Sequence, residues 1–355
     1  MRYKLFGRQT GLRVSEFALG TGNFGTGWGH GAEPDEARRI FDRYAEAGGN
    51  FIDTSDVYQF GQAETLLGEF LATPADRDGF VLATKYTHGA VPQGGILGTG
   101  NSRKNMVRSL EASLKRLKTD RIDLYWVHAA DGVTPVEEIV RAFDDLVRAG
   151  KILYAGLSDF PAWRIARGAT LAELRGWAPI VGVQFEYSLV ERTADRELLP
   201  MSEALGLCAT LWSPLGGGFL TGKYRRAEEG RLTKLGALIH SEKTPRETAI
   251  LDAVQSVAAE TDATPTAVAI AWLRHKAAVS TTALIPILGP RTAAQLDDTL
   301  AALDLTLPDA TLRQLDKVSA VPLGFPHDFL ASERNRNRVT GGKADLIDPI
   351  AVPVA

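Results

Sequence analysis

Cysteine is almost missing from this chain, because Cys208 is the only one among 355 residues. An intrachain disulfide and a thiolate-rich metal site are therefore both excluded, and we expect no metal site. The sequence also lacks a run of about 18 uncharged apolar residues that would suggest a membrane span, and residues 1–5 lack the apolar character of a signal peptide. These features predict a cytoplasmic protein in a reducing compartment.

A large excess of either charge is also missing, since the formal net charge is −3. This balance argues against a dedicated nucleic-acid-binding protein, although it leaves room for a local anion pocket. The apolar fraction of 45% supports a sizeable core, either in two average domains or in one large α/β barrel. Because no internal boundary is evident, we predict a single domain over residues 1–355.

Short apolar runs recur along the chain, most of them about 30 residues apart, which is the length of one strand-helix-strand unit. Their residues are almost all apolar rather than alternating with polar ones, as is typical of parallel strands covered by helices. Eight such units predict a closed (β/α)8 TIM barrel. The runs cover residues 17–20, 51–53, 80–85, 122–128, 152–158, 180–184, 208–212 and 284–287.

The main alternative is an open doubly wound sheet, which usually has a glycine-rich turn joining its first strand directly to a helix. A glycine-rich segment, residues 20–25, does follow the first predicted strand. However, residues 26–33 separate it from helix-like sequence, and a lone glycine pattern is weak support for a dinucleotide fold. The barrel therefore remains the favoured architecture.

The remaining segments predict how the barrel is closed and where its long loops lie. Residues 1–15 read as a β-hairpin that covers the bottom of the barrel. A helix is predicted from Thr134 to Arg148, where Thr134 and Glu137 form a capping-box pattern and Pro135 suits the first turn. Residues 86–100, residues 213–246 and the tail 324–355 are long connections, expected to wall a pocket at the C-terminal face.

Polar residues lie at or just beyond the ends of successive predicted strands. All strands of a parallel barrel end on the same face, where active sites are built, so residues far apart in sequence should converge there. Tyr58 follows the second strand by five residues. The strand-end residues are Asp53, Lys85, His128, Ser158, Gln184 and Trp212.

Lys85 is the most informative of these residues, because a buried ammonium is costly unless an anion pairs with it. Asp53 is the obvious partner. A free tyrosine has a pKa of about 10, and a cation beside Tyr58 would lower this value by stabilising the phenolate. A fall of about two or three units, each worth about 1.4 kcal/mol, would make Tyr58 a useful proton donor. His128 would then donate to a carbonyl oxygen, so the group suits carbonyl reduction.

Other interpretations of the same residues exist. Tyr58 could simply cover a loop, and His128 could be a hydrogen-bonded core histidine. Lys85 could instead be the nucleophile of a Schiff-base aldolase if its pKa were depressed, but Asp53 favours the charged amine. Four complementary residue types at three successive strand ends favour the reductase interpretation.

The motifs resemble those of the aldo-keto reductases, and the resemblance runs from the hairpin to about residue 320. It rests on residues 51–58 (FIDTSDVY), 83–85 (ATK) and 124–128 (LYWVH). The similarity is greatest to the aryl-alcohol dehydrogenase-like branch. It implies a catalytic tetrad of Asp53, Tyr58, Lys85 and His128, with Tyr58 as the general acid.

The resemblance also implies an NADPH site. Ser158, Asp159 and Gln184 match positions that bind the nicotinamide carboxamide, Trp212 matches the aromatic that stacks on the nicotinamide ring, and Arg291 is the candidate for the 2′-phosphate. Ser213, Leu215, Gly217 and Lys223 match the loop that covers the pyrophosphate. The remaining implied cofactor residues are Gly22, Gly289, Gln295 and Asp298.

The chain departs from the residues usual in the family at three positions. The family often has asparagine at Asp159 and near Thr299, and glycine at Gln59, which follows the catalytic tyrosine. Asp159 can accept a hydrogen bond from the carboxamide amino group but cannot donate one as asparagine does. The departure at Gln59 concerns the rim of the pocket, and the departure at Thr299 concerns recognition of the adenine.

Substrate would meet residues on or after the predicted mouth loops. Most of these residues have aromatic side chains, and an aromatic lining favours aryl or alicyclic carbonyls. The resemblance implies NADPH-dependent, reversible reduction of an aldehyde or ketone to an alcohol. A non-catalytic redox-sensing subunit, like the potassium-channel beta subunits that resemble the same family, is the alternative. The predicted walls are Trp28, His30, Tyr86, Trp163 and Phe325.

Overall fold

Eight parallel strands close into a barrel in the computed structural model, which describes residues 1–91, 95–226, 240–348 and 350. Each strand pairs with the next in the chain, and the last strand pairs with the first to complete the ring. The predicted (β/α)8 barrel is confirmed, and the open doubly wound sheet is excluded. The strands are β3 (Ala18–Gly20), β4 (Phe51–Asp53), β5 (Val81–Tyr86), β6 (Ile122–Val127), β7 (Ile152–Ser158), β8 (Ile180–Glu186), β9 (Cys208–Trp212) and β10 (Leu284–Leu288).

Helices surround the barrel and connect its strands. No helix in the part of the chain that the structure describes is both long and apolar enough to cross a membrane. The helices are α1 (Pro34–Glu46), α2 (Gln62–Phe70), α3 (Pro74–Asp78), α4 (Arg103–Leu117), α5 (Val136–Arg148), α6 (Ala162–Arg175), α7 (Leu198–Leu205), α8 (Pro245–Glu260), α9 (Pro265–Val279), α10 (Ala293–Leu300), α11 (Asp309–Ser319), α12 (His327–Ala331) and α13 (Glu333–Val339).

The strands are largely apolar because most residues on both of their faces are buried. Within β6, Leu124 and Trp126 belong to the cluster inside the barrel, whereas Tyr125 and Val127 pack outside it among helix residues. All four side chains are fully buried. Neighbouring residues of a strand point to opposite faces, so a strand between two cores shows no polar alternation.

The N-terminal hairpin closes the bottom of the barrel, as predicted. Its strands β1 (Tyr3–Leu5) and β2 (Arg13–Ser15) pair antiparallel. Phe6 follows β1 and is fully buried, with its ring edge-on to Phe51 and Trp126 at centroid distances of 5.7 and 6.5 Å. Phe6 therefore fills the end of the barrel opposite the strand termini that carry Asp53 and Lys85.

The predicted capping box of α5 is wrong. The helix begins at Val136, and Pro135 occupies the N-cap position without a side-chain hydrogen bond. The Thr134 hydroxyl donates instead to Asp131 Oδ2 at 2.6 Å, while Asp131 Oδ1 accepts the Thr134 backbone N–H at 2.9 Å. An upstream carboxylate thus takes the threonine that the pattern assigned to the helix.

The two C-terminal helices lie at the outside of the molecule. Neither α12 nor α13 contains a buried residue. His327 at the start of α12 lies 2.9 Å from Glu197 Oε1, next to α7. The tail therefore meets the barrel beside the connection that follows β8.

Candidate active site

A fully buried ion pair lies where β4 and β5 end. Lys85 Nζ donates to Asp53 Oδ2 at 2.5 Å, to the Thr54 carbonyl oxygen at 2.9 Å and to Tyr58 Oη at 3.0 Å. These three acceptors account for all three N–H groups of the ammonium. Burial alone would lower the pKa of Lys85, but Asp53 and Tyr58 together raise it above its usual value. Lys85 is therefore held in its charged form.

The second oxygen of Asp53 is held from across the barrel. Gln184 on β8 donates from Nε2 to Asp53 Oδ1 at 3.0 Å, although the two residues are 131 positions apart. Both carboxylate oxygens of Asp53 thus have a donor, which fixes the rotation of the carboxylate and the place of the ammonium that it holds.

Tyr58 follows in the loop after β4, with its ring between three other groups. Lys85 Nζ lies 4.7 Å from the ring centroid, and the rings of Trp28 and His128 approach it in edge-on geometry at 6.1 and 5.8 Å. This aromatic surround fixes the direction of the phenol. The hydroxyl lies next to the ammonium, and Tyr58 borders a cavity at this face of the barrel.

Gln59, next to Tyr58, holds the loop above the tyrosine. Its φ is 50°, in the left-handed region that glycine adopts most easily. The side chain is nevertheless buried and bonded, with Nε2 donating to the Gly22 carbonyl at 3.0 Å and Oε1 accepting the Trp28 N–H at 2.8 Å. These two bonds tie the β3 to α1 connection to the segment that carries Tyr58.

His128 follows β6 and meets two residues that the sequence reasoning missed. Its Nδ1 lies 3.1 Å from Ser55 Oγ, and its ring lies 4.6 Å from that of His88. Burial, then the charge of Lys85 and the presence of His88, push the pKa of His128 well below its usual value, so the imidazole is neutral. Ser55 lies two residues after the strand-end residue Asp53, so its place in the mouth loop was the sequence signal that could have identified it.

A cavity of about 790 Å³ opens at this face of the barrel. His88 and Glu186 line it together with most residues predicted from the sequence, whereas Lys85 lies beneath the surface. The predicted residues that line the cavity are Gly22, Trp28, His30, Asp53, Tyr58, His128, Asp159, Gln184, Trp212, Ser213, Leu215, Gly217, Lys223, Gly289, Arg291, Gln295 and Asp298.

The wall formed by β7 and β9 contains an unusual carboxylate. Trp212 Nε1 donates to Asp159 Oδ1 at 3.1 Å, and Ser158, which is fully buried, donates from Oγ to Asp159 Oδ2 at 3.4 Å. Asp159 keeps an exposed surface, but desolvation by the surrounding walls of the mouth raises its pKa to about 6, although these hydrogen bonds oppose the change. Asp159 and Trp212 form one unit at the mouth of the barrel.

The far end of the cavity is formed by the segment between β10 and α10. Asn23 donates from Nδ2 to the Gly289 carbonyl at 2.8 Å, which joins this segment to the loop after β3. Gln295 Oε1 accepts the Arg291 N–H at 2.9 Å, and Asp298 Oδ1 accepts the Thr264 hydroxyl at 2.7 Å. Thr299 also reaches this part of the wall.

Three predicted substrate residues do not line the cavity formed by the described residues. Tyr86 is fully buried on the outer side of β5, where it stacks on Tyr125 at 5.4 Å, because its neighbour Lys85 occupies the inner face. Trp163 is 67% exposed on α6. Phe325 is 86% exposed, with Phe329 beside it at a ring distance of 6.2 Å.

Comparison with known proteins identifies the family. The model of the aldo/keto reductase family matches residues 16–320, which span the whole barrel. The chain belongs to the aldo/keto reductase family. This membership makes it an oxidoreductase acting on small-molecule substrates, in a family that generally uses nicotinamide cofactors and carries out carbonyl reduction.

Relatives within the family come from fungi and bacteria. The chain is 36% identical to norsolorinic acid reductase of Aspergillus flavus over 335 residues, covering 92% of this chain and 84% of the relative. It is 38% identical to the uncharacterized oxidoreductase YrpG of Bacillus subtilis, covering 91% and 98%. It is 32% identical to aryl-alcohol dehydrogenase GME11368 of Pestalotiopsis microspora, covering 93% and 85%. The similarity to the aryl-alcohol dehydrogenase-like branch is thus confirmed.

Proposed function

We propose that the protein reversibly reduces an aldehyde or ketone to an alcohol, with NADPH as the cofactor and Tyr58 as the general acid. The observation that carries this proposal is the contact of Lys85 Nζ with Tyr58 Oη at 3.0 Å. A cation at this distance stabilises the phenolate that remains when tyrosine gives up its proton. Asp53 and the barrel hold the ammonium in place, so this stabilisation is preorganised.

The residues present fit a nicotinamide cofactor. Lys223 and Arg291 supply positive charge in the wall of the cavity, where phosphates would bind. Gly217 and Gly218 have φ values of 66° and 92°, in the left-handed region that residues with a Cβ rarely adopt. Glycine is therefore favoured where this loop borders the cavity.

Residues at the ends of β7, β8 and β9 fit the nicotinamide ring. Trp212 offers an aromatic face, Asp159 can accept from a carboxamide amino group, and Gln184 can donate to its oxygen. When bound, the cofactor supplies the hydride. Arg291 would bind the 2′-phosphate, and Lys223 would neutralise the pyrophosphate.

The side chains around the tyrosine then carry the proton chemistry. Tyr58 gives its Oη proton to the carbonyl oxygen as that oxygen becomes an alkoxide, and Lys85 stabilises the resulting phenolate. His128 and Trp28 direct the carbonyl toward the phenol. In alcohol oxidation the same phenolate takes the proton back, so one constellation serves both directions.

The same geometry argues against a Schiff-base aldolase. A nucleophilic lysine needs a neutral amine with a free lone pair, and a lowered pKa provides it. Lys85 has a raised pKa and gives all three N–H groups to acceptors. Its charge therefore serves Tyr58 rather than bond formation to a substrate carbon.

Replacement of the phenol tests the proton donor. We expect Tyr58→Phe to bind NADPH with nearly the wild-type Kd, measured by fluorescence titration, and to lose about 10²–10⁴-fold in kcat for aryl aldehydes. Tyr86→Phe is the matched control, because it removes a hydroxyl that lies outside the cavity. Near-wild-type turnover by Tyr58→Phe would refute the assignment.

Replacement of the arginine tests the cofactor preference. We expect Arg291→Ala to weaken NADPH binding by about ten- to a hundredfold while leaving NADH binding nearly unchanged, because NADH lacks the 2′-phosphate. Titration of both cofactors against both proteins measures the difference. Equal weakening of the two cofactors would remove Arg291 from the 2′-phosphate site.

A further inference from the structure

A buried hydroxyl joins His128 to a second carboxyl group that the proposed chemistry does not use. Ser55 Oγ lies 3.1 Å from His128 Nδ1 and 3.3 Å from Asp56 Oδ1. Ser55 is fully buried and Asp56 is 1% exposed, so the polar groups of both side chains are almost completely shielded from solvent. With Nδ1 turned to Ser55, Nε2 is the ring nitrogen left for a ligand.

The surroundings of Asp56 keep both of its protonation states accessible near neutrality. The charge of Glu64 on α2 acts on Asp56, and Glu64 itself accepts from Arg116 on α4 at 2.7 Å and from the Thr84 hydroxyl at 2.6 Å. Tyr125 on β6 also faces Asp56. Burial, followed by the charge of Glu64, raises the pKa of Asp56 to about 7, although Arg116 opposes this change.

The single proton of the Ser55 hydroxyl links the two ends of this chain of atoms. When Asp56 is ionised, Ser55 donates to the carboxylate and accepts from His128, which must then carry its proton on Nδ1. When Asp56 is protonated, its O–H donates to Ser55, and Ser55 donates to the lone pair of Nδ1. His128 then carries its proton on Nε2.

We propose that Asp56, acting through Ser55, sets the tautomer of His128, and that protonated Asp56 produces the Nε2–H that can donate to a substrate carbonyl. Asp56 and Ser55 are positioning residues, and the catalytic part of the inference rests on the proposed carbonyl reduction. The two states differ by one proton. When the pH falls, this proton enters from solvent at Nε2 of His128. The proton on Nδ1 of His128 then passes to the Ser55 oxygen, and the original Ser55 proton passes to Asp56.

The tautomer matters because His128 is neutral. A protonated imidazole would donate from both nitrogens whatever Asp56 did, but burial and the charge of Lys85 lower the pKa of His128 well below its usual value. Ser55 has one further acceptor, the Lys85 carbonyl oxygen at 3.5 Å. Donation to that oxygen would again leave Ser55 as the acceptor of Nδ1–H, so Asp56 remains the group that reverses the bond.

NMR of the substrate-free protein tests the relay independently of any turnover. The chain has six histidines, so ¹⁵N-histidine labelling yields few signals, and His128→Gln assigns the one of interest. In the wild type we expect the Nε2–H tautomer at pH 6 and the Nδ1–H tautomer at pH 8.5. Asp56→Asn, which can donate to Ser55 at every pH, should keep the Nε2–H form throughout.

Two serine variants separate the relay from a structural effect. Ser55→Ala should abolish the pH dependence of the tautomer, and Ser55→Thr, which keeps the hydroxyl, should retain it. A wild-type tautomer that does not change between pH 6 and 8.5, or the same change in Asp56→Asn, would overturn the proposal. These outcomes do not depend on whether the protein reduces carbonyls.

The pH dependence of carbonyl reduction tests the catalytic part. For a group titrating near pH 7, we expect kcat/KM of the wild type and of Ser55→Thr to fall about tenfold between pH 6 and 8, while Asp56→Asn stays level. A tautomer that changes with Asp56 while kcat/KM keeps the same profile in Asp56→Asn would overturn the link to catalysis. Loss of reductase activity in every protein, with the tautomer change intact, would instead contradict the proposed function.

Discussion

Neutralising Asp53 isolates the energetic role of the buried ion pair. Asp53→Asn keeps the size of the side chain, and reorientation of Gln184 can preserve its hydrogen bond. What disappears is the charge beside Lys85, whose side chain is fully buried. Leaving a buried charge without its partner typically costs about 3–5 kcal/mol, so we expect the free energy of unfolding to fall by about that amount.

A second substitution distinguishes lost charge from lost packing. Lys85→Met replaces the ammonium by an apolar chain of similar length, so the double variant Asp53→Asn/Lys85→Met buries neither charge. Replacement of a whole buried pair by apolar residues is often close to neutral. We therefore expect the double variant to regain at least about 2 kcal/mol relative to Asp53→Asn, measured by urea unfolding.

The pH dependence of the single variant provides the sign test. In the wild type the pKa of Lys85 is raised, so the stability that its charge contributes is fully present below about pH 10.5, the unfolded value. In Asp53→Asn the unpaired amine should have a lowered pKa, so stability rises with pH as the folded protein releases that proton first. A single variant within 1 kcal/mol of the wild type, or a double variant at least as unstable as the single one, would refute this reasoning.

Three further predictions concern stability. Asp56 has a raised pKa of about 7, so its ionisation lowers the free energy of unfolding as pH rises from about 4 to 7. In urea unfolding, Asp56→Asn should therefore match the stability of the wild type at pH 4 and exceed it by up to about 4 kcal/mol at pH 8. Phe6→Ala should cost about 3–5 kcal/mol by the same assay, whereas Phe6→Leu should cost less, because Phe6 fills the end of the barrel. Gly49→Ala should lower Tm, because a Cβ there would lie 2.3 Å from the Tyr44 ring, whereas Gly11→Ala, which meets nothing within 4 Å, should leave Tm unchanged. A stability difference between Asp56→Asn and the wild type that does not change with pH would contradict the first prediction. A Phe6→Ala variant as stable as the wild type would contradict the second, and equal Tm values for the two glycine variants would contradict the third.

The barrel could be predicted because its physical signal is local and repeated. Strands buried on both faces are largely apolar, and turns and helices must separate them, so each unit carries the same pattern. The convergence of Asp53, Lys85 and Gln184 followed from topology, since parallel strands end on one face. The ion pair and its cross-barrel hydrogen bond agree with that expectation.

The predictions failed where the direction of a side chain mattered. Tyr86 and Lys85 are neighbours in β5, so only one of them can face the barrel interior, and Tyr86 packs outside. Trp163 and Phe325 follow mouth strands in sequence but lie at the exposed surface. Thr134 fitted a capping pattern, yet Asp131 competes for the same hydroxyl. Each failure reflects a choice between local alternatives that spacing alone leaves open.

The sequence by itself determined the architecture and the chemistry on offer: eight strand-helix units, and a lysine, an aspartate, a tyrosine and a histidine at their ends. Only the tertiary structure decided which groups touch. Ser55 and His128 are 73 positions apart, and their contact depends on barrel closure placing two loops within hydrogen-bond distance. A hydrogen bond is lost over a few tenths of an ångström, whereas a periodic pattern tolerates shifts of a residue or two, so the pattern can be read from sequence and the contact cannot.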